Sequence, residues 1–427
     1  MKRFCAAIIS IIFIFLCGCK SPAELLSDFN EKFGSDISRT YSNIGEMLSE
    51  AIPGVIEESA IDESEIVVIA PREVDVKNVN LLAYRKLTGR QRKLYSIMLT
   101  AVRNMELKDI DVTNYVSENA FSDSIIVHRA LLCDNPEIFW MPKRISFLTV
   151  KGKDNKYIAF RDYYSKKDDK GFYGITKTER DEMQKKLDAA LNPVVTAARR
   201  LSGAFNTELY LHDYLCEHVT YDTASAGNAK NANPNSITAY GALVEGEAIC
   251  EGYSKAMQLL CHKCGIPCNL VFGEHEGVSH MWNIVNPGDG LYYVDTTFDD
   301  SSDKNILHFY FNLTKADIAK DHIFAEGYSA NKVYDGSETF NFFSVDSKAV
   351  FSNYYERNGL YIEEDCILAL AAIYEADKAG KKSVELKNIT DRSLKSAFNL
   401  LCKKAYGTVT LKYCLYYDEN NVLIANW

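Results

Sequence analysis

The stretch that decides the fold begins Cys250-Glu-Gly-Tyr-Ser254 and continues as Lys-Ala-Met-Gln-Leu-Leu-Cys-His-Lys-Cys264. Its apolar residues recur at the spacing of one helix face, and they are Tyr253, Ala256, Met257, Leu260 and Cys264. Gly265 is typical of the position after a helix, and Pro267 ends the pattern. The stretch therefore predicts a helix that starts at or just after Cys250. A cysteine there meets free N–H groups and the positive end of the helix dipole, which favour a thiolate.

Two strands are predicted downstream of this helix. Residues 279–285 alternate so that His280, Trp282 and Ile284 share one face, and residues 291–295 form the second run. If the loop between them is the four residues 286–289, a common hairpin length, His280 lies directly opposite Asp295. The spacing thus allows a carboxylate to orient an imidazole across the two strands.

Together these residues offer a nucleophile, a base and an orienting carboxylate, the set that nucleophilic catalysis requires. The motifs Cys-x-Gly-Tyr from Cys250, His-x-Trp-Asn from His280 and Asp-x-Thr-Phe-Asp-Asp from Asp295 resemble the transglutaminase-like superfamily, a papain-related fold. The resemblance reaches back to a first helix in 211–222. Phe298 stands where the bacterial group more often has Trp, and we expect this exchange not to touch the triad.

The resemblance implies an α+β fold in which the helix bearing Cys250 packs on an antiparallel sheet bearing His280 and Asp295. It implies acyl transfer or hydrolysis at amide bonds of a protein or peptide substrate, through a thioester on Cys250. Whether an amine (transglutaminase) or water (peptidase or amidase) accepts the acyl group stays open. No metal or organic cofactor is implied. A surface binding module without turnover is the alternative of another class, and the intact triad argues against it.

Other residues near the triad are predicted to be structural. Trp282 is expected to pack beside the histidine. Tyr240 is expected to pack as well, with a hydroxyl offered to the oxyanion as the alternative. Asp299 and Asp300 are expected to cap or hydrogen-bond the loop that follows the triad carboxylate.

A second cysteine-rich segment invites a zinc interpretation, because Cys261, Cys264 and Cys268 flank His262. We do not adopt it, since Cys264 lies on the apolar stripe of the predicted helix and Cys268 follows in a strand. No second ligand cluster completes a tetrahedral site. His275 has no matching partner in the sequence and is predicted to be exposed.

The N-terminus has the pattern of an export signal. Lys2 and Arg3 precede the apolar stretch 6–16, which is too short for a spanning helix and typical of a signal h-region. It ends in Leu-Cys-Gly-Cys19, which resembles the bacterial lipobox. We therefore expect residues 1–18 to be removed and Cys19 to be acylated, so that the protein is anchored to a membrane outside the cytoplasm.

Composition and charge bound the remaining possibilities. The chain has 48 Lys and Arg against 58 Asp and Glu, a net charge of −10, and no basic block, which argues against a nucleic-acid partner. The predicted organisation after the signal is a tether over 19–85, an α-rich accessory domain over 86–203, the catalytic domain over 204–325, and a small α+β domain over 330–427.

Overall fold

The computed structural model describes most of the chain beyond residue 80. The described residues are 54–55, 67–72, 80–106, 108, 110–141, 146–149, 157–161, 175–227, 232–300, 306–334, 338–343, 345, 351–362, 366–387, 413–417 and 421–427. The predicted signal peptide, Cys19 and most of the predicted tether lie outside these residues. Among the helices that the structure describes, none is both long and apolar enough to cross a membrane.

The described helices include the one predicted to start at or just after Cys250. They are α1 Leu82–Lys86, α2 Gly89–Asn104, α3 Ala120–Asp134, α4 Lys177–Ala198, α5 Ala204–His218, α6 Thr223–Gly227, α7 Cys250–Cys264, α8 Thr296–Asp299, α9 Lys315–Ile318, α10 Tyr354–Arg357 and α11 Cys366–Lys378. Capping boxes start both α2, at Thr88, and α4, at Thr176. An apolar stripe predicts one more helix over 394–402, which lies outside the described residues.

The strands form several small sheets. They are β1 Gly54–Val55, β2 Ile110–Asp111, β3 Ser146–Thr149, β4 Tyr157–Arg161, β5 Thr220–Tyr221, β6 Glu247–Ala248, β7 Cys268–His275, β8 Val278–Val285, β9 Tyr292–Val294, β10 His322–Phe324, β11 Glu326–Gly327, β12 Phe340–Asn341, β13 Ser383–Lys387, β14 Tyr413–Tyr417 and β15 Val422–Asn426. Strand-like runs on either side of the polar segments 151–156 and 418–421 predict two hairpins, and the pairs β3–β4 and β14–β15 are both antiparallel.

The sheet that carries the predicted histidine has the order β10-β7-β8-β9, and all of its pairs are antiparallel. A two-residue turn joins β7 to β8. Both of its residues, Glu276 and Gly277, have positive φ, the conformation that matches the twist of a tight hairpin. This turn fixes the β7–β8 register along the full length of β8.

The predicted register of the next hairpin is wrong by two residues. Val285 pairs with Tyr292 rather than with Gly290, so the loop runs over 286–291. In this loop the Asn286 N–H donates to Pro267 O, and the Asp289 carboxylate accepts a hydrogen bond from Ser352. Side chains alternate with a period of two, so this slip leaves every residue of β9 on its predicted face.

Two large apolar clusters lie against the four-stranded sheet β10-β7-β8-β9, which we call the central sheet. One joins α4, α5, α7 and the C-terminal strands, and the other joins α2 and α3 to Leu270, Phe272 and Met281 of the sheet. The predicted α+β class, with the cysteine helix packed on the antiparallel sheet, is confirmed. The predicted domain boundaries stay predictions.

Candidate active site

The first turn of α7 lies along β8 beside Met281 and thereby places Cys250. The Met281 N–H donates to the Cys250 sulfur. The Ser254 hydroxyl is 2.8 Å from Met281 O, and the Asn283 side chain donates to Ser254 O at 3.0 Å. Helix α7 therefore provides hydrogen-bond partners for both the N–H and the C=O of Met281, as a neighbouring strand would. This arrangement places the Cys250 sulfur at the backbone of the residue that follows His280.

Gly252 explains the glycine of the Cys-x-Gly-Tyr motif. A Cβ at this position would lie 2.4 Å from Ser236 O and 2.8 Å from the Ala248 Cβ, closer than any real contact. The backbone around Ser236 also accepts the Ile249 N–H at 2.9 Å. A side chain at position 252 would therefore push the start of α7, and Cys250 with it, away from its support.

Asp295 holds the ring of His280. The Nε2 atom of His280 lies 2.5 Å from Asp295 Oδ2, and both side chains are buried. In the observed register Asp295 continues β9 opposite Trp282, so its contact with His280 is diagonal rather than directly across. The other oxygen of Asp295 accepts the N–H groups of Thr297 and Phe298 at the start of α8. Because Nε2 is bonded, Nδ1 is the nitrogen available to the thiol.

His322 is a partner of Asp295 that the sequence analysis missed. Its Nε2 lies 3.1 Å from the same oxygen, Asp295 Oδ2, and its Nδ1 lies 2.6 Å from Asp321 Oδ1. The residue reaches the site from β10, on the far side of β7 from β8, and no motif in the sequence connects it to the triad. Only the strand order could have revealed it.

The charge state of the cluster follows from burial and these contacts. Burial alone would lower the pKa of His322, but hydrogen bonds to Asp295 and Asp321 raise it to about 9. Burial would raise the pKa of Asp295, but the charges and hydrogen bonds of His280 and His322 hold it well below its usual range. Burial lowers the pKa of His280, and Asp295 offsets this only in part. At neutral pH, His322 is therefore a cation, Asp295 an anion and His280 a neutral base.

The predicted resting thiolate is not what the structure supports. Burial raises the pKa of Cys250 to about 12, although the N–H groups of Met281 and Glu251 act in the opposite direction. Only 1% of the residue is exposed. Loss of hydration outweighs the helix terminus, so Cys250 rests as a thiol and His280 as a neutral imidazole.

Hydrogen bonds of Asp299 and Asp300 join the segment after Asp295 to helix α7 and to the segment around Tyr310. The Tyr253 hydroxyl donates to Asp300 Oδ2 at 2.5 Å, and the Tyr310 N–H donates to Asp299 Oδ1 at 3.0 Å. The hydrogen-bonding role predicted for Asp299 in the loop is thus confirmed, whereas Asp300 accepts its hydrogen bond from helix α7. Trp282 is fully buried, and its ring centroid lies 5.9 Å from that of His280, which confirms the predicted packing.

Three aromatic predictions have different outcomes. Tyr240 is buried against Phe139, so packing is confirmed. The expectation that Phe298 leaves the triad untouched is wrong, because its ring centroid is 4.8 Å from that of His280. The exposed position predicted for His275 is also wrong. It is half-buried, its ring packs edge-on against Phe298, and its Nδ1 lies 3.0 Å from Asp321 O.

The second cysteine-rich segment makes contacts of its own. Cys261 hydrogen-bonds to Cys268, and His262 Nε2 lies 2.8 Å from Cys268 O. The ring of His262 therefore faces a backbone carbonyl, a contact that fixes its orientation. Cys264, at the end of α7, is only half-buried.

A cleft of about 180 Å³ runs beside the site, between the central sheet and α3. Glu251, His280 and Met281 line it on the side of α7 and β8, and Arg129 lines it on the side of α3. Both signs of charge and several apolar side chains are present. The cleft has room for a side chain or a short peptide segment.

Comparison with known proteins supports this arrangement. Residues 195–331, about a third of the chain, match the family model described as the transglutaminase-like superfamily. The chain carries a transglutaminase-like domain. The matched residues include Cys250, His280, Asp295 and His322, and the core of this domain has the helix-on-sheet arrangement of papain-like cysteine enzymes.

Solved structures of two proteins are similar to the chain. One is a TGase, with 16% identity, a TM-score of 0.26, and coverage of 36% of this chain and 51% of the other. The second is a putative cysteine protease from Cytophaga hutchinsonii, with 10% identity, a TM-score of 0.23, and coverage of 42% and 65%. The chain thus spans about half to two thirds of these structures. No curated protein matches it.

Proposed function

We propose that this protein is a lipid-anchored, extracytoplasmic cysteine enzyme that transfers or hydrolyses amide acyl groups of protein or peptide substrates. The observation that carries the proposal is the placement of Cys250 at Met281, next to a histidine whose Nε2 is held by Asp295 at 2.5 Å. A thiol, an adjacent neutral base and an orienting carboxylate are the groups that covalent acyl transfer uses.

The first half-reaction makes a thioester. Cys250 gives its proton to His280 Nδ1, and its sulfur attacks the substrate carbonyl carbon. First-turn N–H groups of α7, which have no partner within the helix, stabilise the negative oxygen. The C–N bond then breaks, and His280 passes the proton to the leaving amine or ammonia. Asp295 keeps Nε2 protonated throughout, so Nδ1 alone handles the transferred proton.

The second half-reaction releases the acyl group. An amine or a water molecule attacks the thioester carbon while His280 removes its proton, and the C–S bond breaks to restore the thiol. An amine acceptor gives a new amide, and water gives an acid. The cleft lined by Glu251, His280 and Met281 is the position that we propose for the substrate segment next to the reacting amide.

One experiment separates the outcomes. The purified chain is incubated with a library of glutamine-containing peptides and a labelled primary amine, and the products are identified by mass spectrometry. Amine incorporation supports transglutamination, and peptide cleavage or deamidation supports hydrolysis. Unchanged peptides, together with no acyl adduct on Cys250, would overturn the enzymatic proposal in favour of a binding module. Cys250→Ala is the matched control.

The anchoring part of the proposal rests on the Leu-Cys-Gly-Cys19 segment alone. We expect the mature chain to begin at acylated Cys19 and to partition into the detergent phase. Cys19→Ala should leave the protein unprocessed or release it. A mature wild-type chain that is soluble and carries no acyl group would contradict the anchoring part and leave the enzymatic part standing.

A further inference from the structure

A second buried cluster of titratable residues lies away from Cys250, where α5 meets the C-terminal strands. His212 Nδ1 lies 3.0 Å from Asp213 Oδ1, and His308 Nε2 lies 3.1 Å from the same oxygen. The side chain of His212 is fully buried, that of His308 is 8% exposed, and that of Asp213 is 34% exposed. The mechanism proposed above uses none of these residues.

The outer nitrogen of each ring also faces a carboxylate. His212 Nε2 lies 3.1 Å from Asp299 Oδ2, and His308 Nδ1 lies 3.1 Å from Glu385 Oε1. These outer carboxylates are fixed in turn. The Tyr310 N–H donates to Asp299, and the Tyr355 hydroxyl donates to Glu385 at 2.7 Å.

Counting protons shows what the centre of the cluster requires. A neutral imidazole has one N–H. If His212 donates to Asp299 and His308 donates to Glu385, each ring turns a lone pair toward Asp213 Oδ1. Three lone pairs then converge on one point, and they need positive charge there. Two added protons, one on each ring, or a single divalent cation would supply it.

The structure assigns to His212, Asp213 and His308 a binding site for one divalent transition-metal ion of the zinc class. Their three ligand atoms lie within 4.8 Å of one another, a span that bonds of about 2.0–2.2 Å to one ion can close with small movements. Two imidazoles and a carboxylate suit zinc and its neighbours. A carboxylate on the outer nitrogen of each ligating histidine is the usual support of such sites.

The exposed part of Asp213 provides the route of entry and leaves a fourth position for water. The ion would join α5 and the segment around His308, and through Glu385 it would reach β13 in the C-terminal region. It would also fix Asp299, which ends the short helix that begins after Asp295. The site therefore stabilises the junction on which the candidate active site rests.

The test is zinc binding by the purified full-length chain after treatment with a chelator. Zn²⁺ is titrated against a chromophoric competitor, and bound metal is counted by elemental analysis. We expect one saturable equivalent and a higher melting temperature with zinc. Glu385→Gln, which alters only the outer support, should weaken binding by about 10- to 100-fold. His308→Ala should abolish saturable binding.

Two control variants remove the other candidate zinc ligands. His322→Ala removes a candidate ligand from the cluster around Asp295, and Cys264→Ser removes one from the cysteine-rich segment. Both variants should still bind one equivalent of zinc. Absence of a saturable equivalent in the wild type would overturn the proposal in favour of two protonated imidazoles. Equal binding by wild type, His308→Ala and Glu385→Gln would overturn it as well, because the metal would then lie elsewhere. If His308→Ala does not fold, Glu385→Gln decides.

Discussion

The transglutaminase-like domain contains the same arrangement twice: one carboxylate oxygen between two buried histidines. Asp295 Oδ2 receives His280 and His322, and Asp213 Oδ1 receives His212 and His308. A buried cysteine accompanies each cluster, since the Cys250 sulfur meets the N–H of the residue after His280, and Cys216 Sγ lies 3.8 Å from His212 Nε2. Residue types alone therefore do not distinguish the two clusters.

The difference lies in the outer nitrogens. Both nitrogens of His212 already face carboxylates, so this ring has no free lone pair with which to accept a proton from Cys216. His280 has one bonded nitrogen and one that is free for the thiol. A histidine enclosed by acids on both sides holds structure or a cation, whereas a histidine enclosed on one side can serve as a base.

The largest expected effect comes from replacing each of the two cysteines by alanine. Cys250→Ala should reduce turnover to background, because no thioester can form. Cys216→Ala removes the corresponding thiol of the other cluster and should keep turnover within about threefold of wild type, since His212 cannot activate it. Turnover of the peptide substrate identified above is the measurement. Residual turnover in Cys250→Ala, or its loss in Cys216→Ala, would reverse the roles of the clusters.

The next effect comes from neutralising the two shared carboxylates. Asp295→Asn should lower kcat by roughly 10²-fold, because the ring can take the wrong tautomer and loses its anionic partner. A serine triad loses about 10⁴-fold on the same change, and a thiol depends less on its base. Asp213→Asn should instead lower the free energy of unfolding by about 1–3 kcal/mol and reduce kcat by less than tenfold. Kinetics and chemical denaturation of both variants provide the comparison.

The smallest effect concerns His322 and appears in the pH dependence. His280 must be neutral to take the proton from Cys250, so the rate falls as pH drops below the lowered pKa of His280. Cationic His322 lowers that pKa further. His322→Gln removes the positive charge, so the acid limb should move to higher pH, by up to about one unit.

Under this account His322→Gln is slower than wild type near pH 6 and similar to it at pH 8. The iodoacetamide labelling rate of Cys250 across this range reports the shift without a substrate. A limb that stays in place while the rate falls equally at all pH values would assign His322 a purely structural role.

The positions of the candidate catalytic residues could be predicted from the sequence because each is fixed by local pattern. The apolar stripe after Cys250 places it at the start of a helix, and alternation places His280 on a strand. The hairpin loop was predicted two residues too short, yet the contact between His280 and Asp295 survived, because a slip of two preserves the strand face.

What the sequence could not supply depends on contacts between distant segments. His322 meets Asp295 only because β10 pairs with β7, and His212 meets His308 across about a hundred residues of chain. The ionisation of Cys250 was predicted wrongly for the same reason. A helix terminus is visible in a sequence, but the burial that outweighs it is a property of the packed core.

The central claim is that His280 activates Cys250, and the labelling rate of Cys250 in wild type and His280→Ala tests it most directly. Peptide mapping after limited iodoacetamide treatment gives the rate at each pH from 5 to 9, with half-buried Cys264 as the internal reference. We predict that the wild-type rate is level above about pH 6.5, because proton transfer to His280 does not change the total charge of the pair. In His280→Ala the rate at pH 7 should fall at least about tenfold and should rise steadily with pH, as expected for an isolated buried thiol. Equal rates and equal pH profiles in the two proteins would contradict the account.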